Sequence, residues 1–180
     1  MSLRSKNKTV AGIEKIIKHE DYNNPYVFNN DIAIVKLAVP MISNTIRTAA
    51  LPTNNTEVGT VMKSPGFGYK GMHGQGGTTK FLLKTEMRVL NVTLCQEDKN
   101  WDGKRYGERV NEERNICAQG LNHSGTCRGD SGGSLIDSDN IVRGIVSWGT
   151  GEYCDDEGEK SVYTNVFYYL SWIKLYVPLQ

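Results

Sequence analysis

Apolar positions along the chain recur mostly at strand spacing, and turn residues separate them. Ile13, Ile16 and Ile17 supply the apolar positions of a strand predicted over 13–22, which Tyr22-Asn-Asn-Pro-Tyr26 then closes as a turn. Asp31-Ile-Ala-Ile-Val-Lys-Leu37 is β-branched and almost continuously apolar, the pattern of a strand buried in a barrel. Residues 81–94 alternate enough for a third strand, and 141–148 and 161–166 predict the last ones. Only 167–177 reads as a helix, with Leu170, Ile173 and Val177 at helical spacing forming its docking face. Between these elements, 69–79 holds Gly71, Gly74, Gly76 and Gly77 and predicts a surface loop, while 95–106 is charged and irregular. No internal repeat is visible.

Composition narrows the class of protein. A length of 180 residues suits one ordinary domain or two small barrels, with enough chain to bury a core. The net charge of +1 leaves no electrostatic footprint for nucleic acid or an anionic membrane. No apolar segment approaches 18 residues, and the polar start Met1-Ser-Leu-Arg-Ser-Lys-Asn-Lys lacks the apolar core of a signal peptide. Four cysteines, Cys95, Cys117, Cys127 and Cys154, allow three pairings and show no C-x-x-C spacing. Disulfides among them imply an oxidising compartment. Asn-x-Ser/Thr triplets at Asn7, Asn54, Asn91 and Asn122 point the same way, to a secreted protein.

The candidate chemistry centres on Gly125-Thr-Cys-Arg-Gly-Asp-Ser-Gly-Gly-Ser134. It sets one hydroxyl, Ser131, among glycines that let the backbone turn sharply and approach a substrate. The N–H groups of Gly129 and Ser131 are then candidates to stabilise the charge on an attacked carbonyl oxygen, worth about 3 kcal/mol per donor. The Gly-x-Ser-x-Gly pattern alone also fits a nucleophile elbow, but an elbow serine is followed by its histidine, and none lies between Ser131 and Gln180. With its flanks Thr126-Cys127-Arg128 and Ser134-Leu135-Ile136, and Ile145-Val-Ser-Trp-Gly149 downstream, the stretch resembles the active-site region of the chymotrypsin/trypsin family of serine endopeptidases. Asn30-Asp31-Ile32-Ala33 resembles the family's triad-aspartate signature, and an acid heading so apolar a run needs a donor partner in any case.

The resemblance implies an all-β fold, a chymotrypsin-like double antiparallel β-barrel with a C-terminal α-helix. Residues 1–56 would be a remnant of the first barrel, with Ala50 to Gly59 the crossing. Residues 57–166 would form the second barrel, beginning at Val61–Gly68 and including Asn115–Ala118, and 167–180 the helix. It further implies Ser131 as nucleophile, Asp31 as the acid that orients a histidine, and Gly129 and Ser131 as oxyanion hole. The implied pocket has Gly125 and Thr126 at its base, Ser147, Trp148 and Gly149 along one wall, and Ser161 opposite. None is charged, so an uncharged residue of a protein or peptide substrate is expected there. Protein inhibitors are a second class of implied partner; nucleic acid, membrane, metal and cofactor are not. The implied disulfides are Cys95 with Cys117 and Cys127 with Cys154. Met62 and Asp137 stand where many relatives carry a further disulfide.

A serine hydroxyl needs a base, and the chain departs from the family here. Its histidines are His19, in Lys18-His-Glu-Asp21, His73, in the glycine-rich loop, and His123, in Leu-Asn-His-Ser-Gly. None has the Ala-Ala-His-Cys surroundings that the family gives its base. The expectation is a chain that is an endopeptidase by family, with the first barrel incomplete and no activation terminus to pair with Asp130, and inactive alone. The alternative is a non-catalytic homologue that binds protein through the same cleft.

Overall fold

The computed structural model describes residues 9–41, 46–70, 76–96, 110–149, 154 and 159–178. Its centre is a closed six-stranded antiparallel barrel. The barrel comprises β3 (Val61–Gly66), β4 (Leu83–Leu90), β5 (Asn115–Gly120), β6 (Ser134–Ile136), β7 (Val142–Gly149) and β8 (Lys160–Asn165), in the order β3-β4-β5-β8-β7-β6. Closure through the single Lys63–Ile136 pair of β3 and β6 removes the open edges that a flat sheet would leave. Inward-pointing Met62, Met87, Val89, Ile116, Ala118, Leu135, Val146 and Tyr163 fill the interior. Ahead of the barrel, β1 (Ile13–Lys18) and β2 (Ala33–Leu37) form a separate two-stranded antiparallel sheet.

Several boundaries differ from the sequence reading. β1 stops at Lys18 rather than 22, because the chain turns at once, with the Tyr22 N–H donating to the His19 carbonyl. The strand expected over 81–94 ends at Leu90. The Asn91 side chain accepts from the Thr93 N–H, and a one-turn helix α1 (Thr93–Gln96) follows. The terminal helix α2 is only Leu170–Lys174, preceded by turns. Its buried face is Trp172, joined by Tyr169 and, in part, Ile173, whereas Leu170 is only partly buried and Leu175 is exposed. β2 is not buried as its apolar run implied. Val35 is 49% and Leu37 38% exposed, whereas Ile34, on the opposite face of the strand from Val35, packs against Ile32, Tyr169 and Trp172, so only one face of the two-stranded sheet is covered.

Both disulfides are present, Cys95–Cys117 pinning α1 to β5 and Cys127–Cys154 closing the loop before Ser131. At 22 and 27 residues of separation, each constrains the unfolded chain by about 3 kcal/mol. Met62 packs into the barrel core and Asp137 is half of an ion pair. Asp137 Oδ2 accepts from Arg143 Nε at 2.8 Å, with side chains 10% and 14% exposed. Burial alone would raise the Asp137 pKa. The Ile141 amide, the Arg143 guanidinium and the Asp139 amide outweigh it and hold the carboxyl below its ordinary value.

A depressed acid contributes stability that is complete above its unfolded pKa, near 4, and is lost as pH falls through its folded value. Arg143→Met is therefore expected to cost about 3 kcal/mol in urea unfolding at pH 7, because it strands a buried carboxylate. The cost should shrink steadily as pH drops below about 4. An equal cost at pH 7 and pH 3 would contradict this account of the pair.

Candidate active site

The loop that carries Ser131 is shaped by Asp130. Its carboxylate accepts the Gly68 N–H at 2.8 Å through Oδ1 and the Cys127 N–H at 2.9 Å through Oδ2, which ties the loop to the end of β3 and to its own start. Asp130 is thus held by two backbone amides. The seat requires glycine at two places. A Cβ on Gly66 would lie 1.9 Å from Asp130 Oδ1, and one on Gly68 2.6 Å from its carboxyl carbon. Tyr69 N–H donates to the Arg128 carbonyl at 2.9 Å and closes the loop from the same side.

Within the loop, Gly129 takes φ +95° and Gly132 φ +78°, which a side chain would strain. The amides of Cys127, Asp130, Gly132 and Gly133 all donate within the protein. Those of Arg128, Gly129 and Ser131 donate to no described residue, so the two N–H groups expected to face an oxyanion are among those left available. Ser131 is exposed, and its hydroxyl makes no hydrogen bond to a described residue.

Asp31 is brought to this loop by long-range contacts. Gly132 N–H donates to the Val146 carbonyl and Val146 N–H to the Gly133 carbonyl, both at 2.8 Å, so the nucleophile loop is stitched to β7 at Val146. The next residue, Ser147, donates its hydroxyl to Asp31 Oδ2 at 2.5 Å. Thr164 Oγ1 on β8 donates to the Asp31 backbone carbonyl at 2.7 Å. The glycines that follow Ser131 and the Asp31 carboxylate are therefore anchored on neighbouring residues of one strand, and the donor partner that Asp31 required is Ser147. The Ser147 side chain, expected along a wall of the pocket, is turned to Asp31.

That cleft, of about 520 Å³, runs past Ser131 and is lined by Gly125, Thr126, Trp148, Gly149 and Ser161 among others. Thr126 and Ser161 hydroxyls bond each other at 2.8 Å. The rim adds Arg128, which is exposed, and His123, which sequence reasoning assigned to a surface loop; it is exposed at φ 52°.

No described histidine reaches Asp31 or Ser131. His19 stacks on Trp172 at 5.1 Å, meets Tyr169 edge-on at 5.6 Å, and accepts the Asp21 N–H on Nδ1 at 3.2 Å. His73 lies outside the described residues. So does Asn7 among the four glycosylation triplets, while Asn54 accepts from Arg143 through its own side-chain oxygen. Among the described residues no cluster of His, Cys, Asp and Glu is placed to hold a metal, and no helix is long and apolar enough to cross a membrane.

Comparison with known proteins gives a consistent result. The trypsin family profile matches residues 1–173. The chain is 32% identical to brachyurin from Leptuca pugilator, over 87% of the chain and 64% of that protein. It is 33% identical to trypsin-1 of Astacus astacus, over 97% of the chain and 70% of that protein. It is also 32% identical to transmembrane protease serine 11C of Mus musculus, over 95% of the chain but 39% of that protein. The chain thus spans less than two thirds of the length of brachyurin and of the mouse protease. Among solved structures, neuropsin, described as a serine protease expressed in the limbic system of mouse brain, superposes with a TM-score of 0.82 at 26% identity, over 97% of this chain and 74% of that one.

Proposed function

Because the chain belongs to the trypsin family of serine endopeptidases, we infer that its site is built for peptide-bond hydrolysis through an acyl-enzyme on Ser131. The observation that carries this reading is the pair of free N–H groups at Gly129 and Ser131, on a loop joined through Val146 and Ser147 to Asp31. In this mechanism Ser131 Oγ attacks the scissile carbonyl and loses its proton to a histidine. The carbonyl oxygen becomes an oxyanion between the two amides. Asp31 accepts from that histidine and stabilises the imidazolium. Ser147 fixes the Asp31 carboxylate from the other side, so its lone pairs point in a defined direction.

The described residues supply the nucleophile, the hole and the acid, and no base in reach. This favours a second reading for the chain acting alone, in which a formed cleft binds protein or peptide without cleaving it. Two disulfides suit either role in an oxidising, extracellular setting.

The test is a chimera in which the amino-terminal half of Astacus astacus trypsin-1 supplies a family histidine ahead of β2, the rest being this chain. Such a protein is expected to react with a fluorophosphonate and to cleave peptides, and Ser131→Ala is expected to abolish both. A folded chimera that stays unlabelled would overturn the assignment of Ser131.

A further inference from the structure

The most buried end of the cleft is made of hydroxyls. Thr126 Oγ1 and Ser161 Oγ are 2.8 Å apart, and Ser161 is 6% exposed. Beside them, next to Ser64 as well, lies the phenol of Tyr163. Tyr163 is fully buried, and its hydroxyl is the one buried side-chain polar atom among the described residues with no hydrogen-bond partner. Burial pushes its pKa up to about 12, so it stays neutral. Arg128 is exposed at the rim, and Glu159 and Lys160 each have an interaction of their own.

We propose that this end of the cleft receives a peptide side chain ending in a primary carboxamide, glutamine in the first place, an inference that rests on the reading of the cleft beside Ser131 as a peptide site. The hydrogen-bond inventory decides it. The Thr126–Ser161 pair uses one of its two O–H groups and leaves the other as a donor, while lone pairs remain on both oxygens, with the Tyr163 hydroxyl buried behind them. A carboxamide offers one acceptor oxygen and an NH₂ donor group, so it engages donor and acceptor together. Once it takes over the bond that Thr126 and Ser161 give each other, one of these hydroxyls is free to turn to Tyr163. An ammonium or guanidinium brings only donors and a carboxylate only acceptors, so neither engages the Thr126–Ser161 pair as donor and acceptor together. An apolar end would leave the free O–H of the Thr126–Ser161 pair unpaired.

Equilibrium dialysis of the full chain against six peptide pools tests the proposal, since binding needs no catalytic base. Each pool has randomised flanks and one fixed central residue, Gln, Met, Leu, Phe, Lys or Glu. Methionine matches glutamine in length and lacks its hydrogen-bonding end. The Gln pool is expected to be retained at least tenfold better than the Met pool. That preference should fall below about threefold in Thr126→Val with Ser161→Ala, or in either single variant if the double variant does not fold. Retention of Met, Leu, Phe, Lys or Glu equal to or above that of Gln overturns the carboxamide assignment and leaves the peptide-cleft reading standing. Retention of no pool overturns both.

Discussion

A fluorophosphonate is expected to leave Ser131 of the 180-residue chain unlabelled, at a rate roughly 10⁶-fold below that of a complete triad. The probe reacts with a serine whose proton is being withdrawn, and near neutral pH that requires a base within hydrogen-bond reach. Ser131 is exposed to the reagent, so access is not the obstacle. The obstacle is the proton. His19 is held by Trp172, Tyr169 and the Asp21 amide, and the carboxylate that would orient a base is bonded to Ser147. His123 lines the rim without bonding to Ser131, and His73 lies outside the described residues. The free amides of Gly129 and Ser131 retain some oxyanion stabilisation, which leaves a residual acceleration of about 10³ to 10⁴ over water. Gel-based labelling against the same chain carrying Ser131→Ala makes the measurement. Strong labelling that depends on Ser131 would contradict the expectation, and His73→Ala and His123→Ala would then identify which ring serves as base.

The sequence made the nucleophile loop legible because its chemistry is local. Glycines at 129 and 132 are required by positive φ within a few residues of Ser131, so the demand and its signature share one stretch of chain. Asp31 was legible for a similar reason, as an acid at the head of an apolar run that must find a donor. The identity of that donor was not. Ser147 is 116 residues away, and its residue type fits a pocket wall as well as it fits a carboxylate partner. Gly66 and Gly68 were likewise invisible as parts of the site, since what demands them is the Asp130 carboxylate, 62 residues beyond Gly68. Tyr163 read as one more apolar strand position. Only closure of the barrel shows that its hydroxyl is buried beside those of Ser64, Thr126 and Ser161. The same limit applies to β2. Its apolar run predicted a strand correctly and burial wrongly, because strand formation follows residue type while burial follows what packs on top.

In the chimera that supplies a histidine, Asp31→Asn is expected to lower kcat about 10⁴-fold and to leave KM nearly unchanged. Asp31 does not line the cleft, so ground-state binding of a peptide does not depend on it. Its carboxylate acts on the base. The charge stabilises the imidazolium that forms as Ser131 attacks, and its lone pairs accept from Nδ1–H, which leaves Nε2 free to take the Ser131 proton. An asparagine removes the charge and introduces an NH₂ group. Ser147 donates at 2.5 Å to Oδ2, so the amide oxygen is drawn to Ser147 and the NH₂ group turns toward the imidazole. Donor then faces donor, and the ring relieves the clash by moving its proton to Nε2, the tautomer that cannot accept from Ser131. Ser147→Ala removes one hydrogen bond to the carboxylate and keeps the charge, so its expected cost is smaller, on the order of tenfold to a hundredfold in kcat. A loss below about tenfold for Asp31→Asn, or an equal loss for the two variants, would show that Asp31 anchors the β7 strand rather than orients a base.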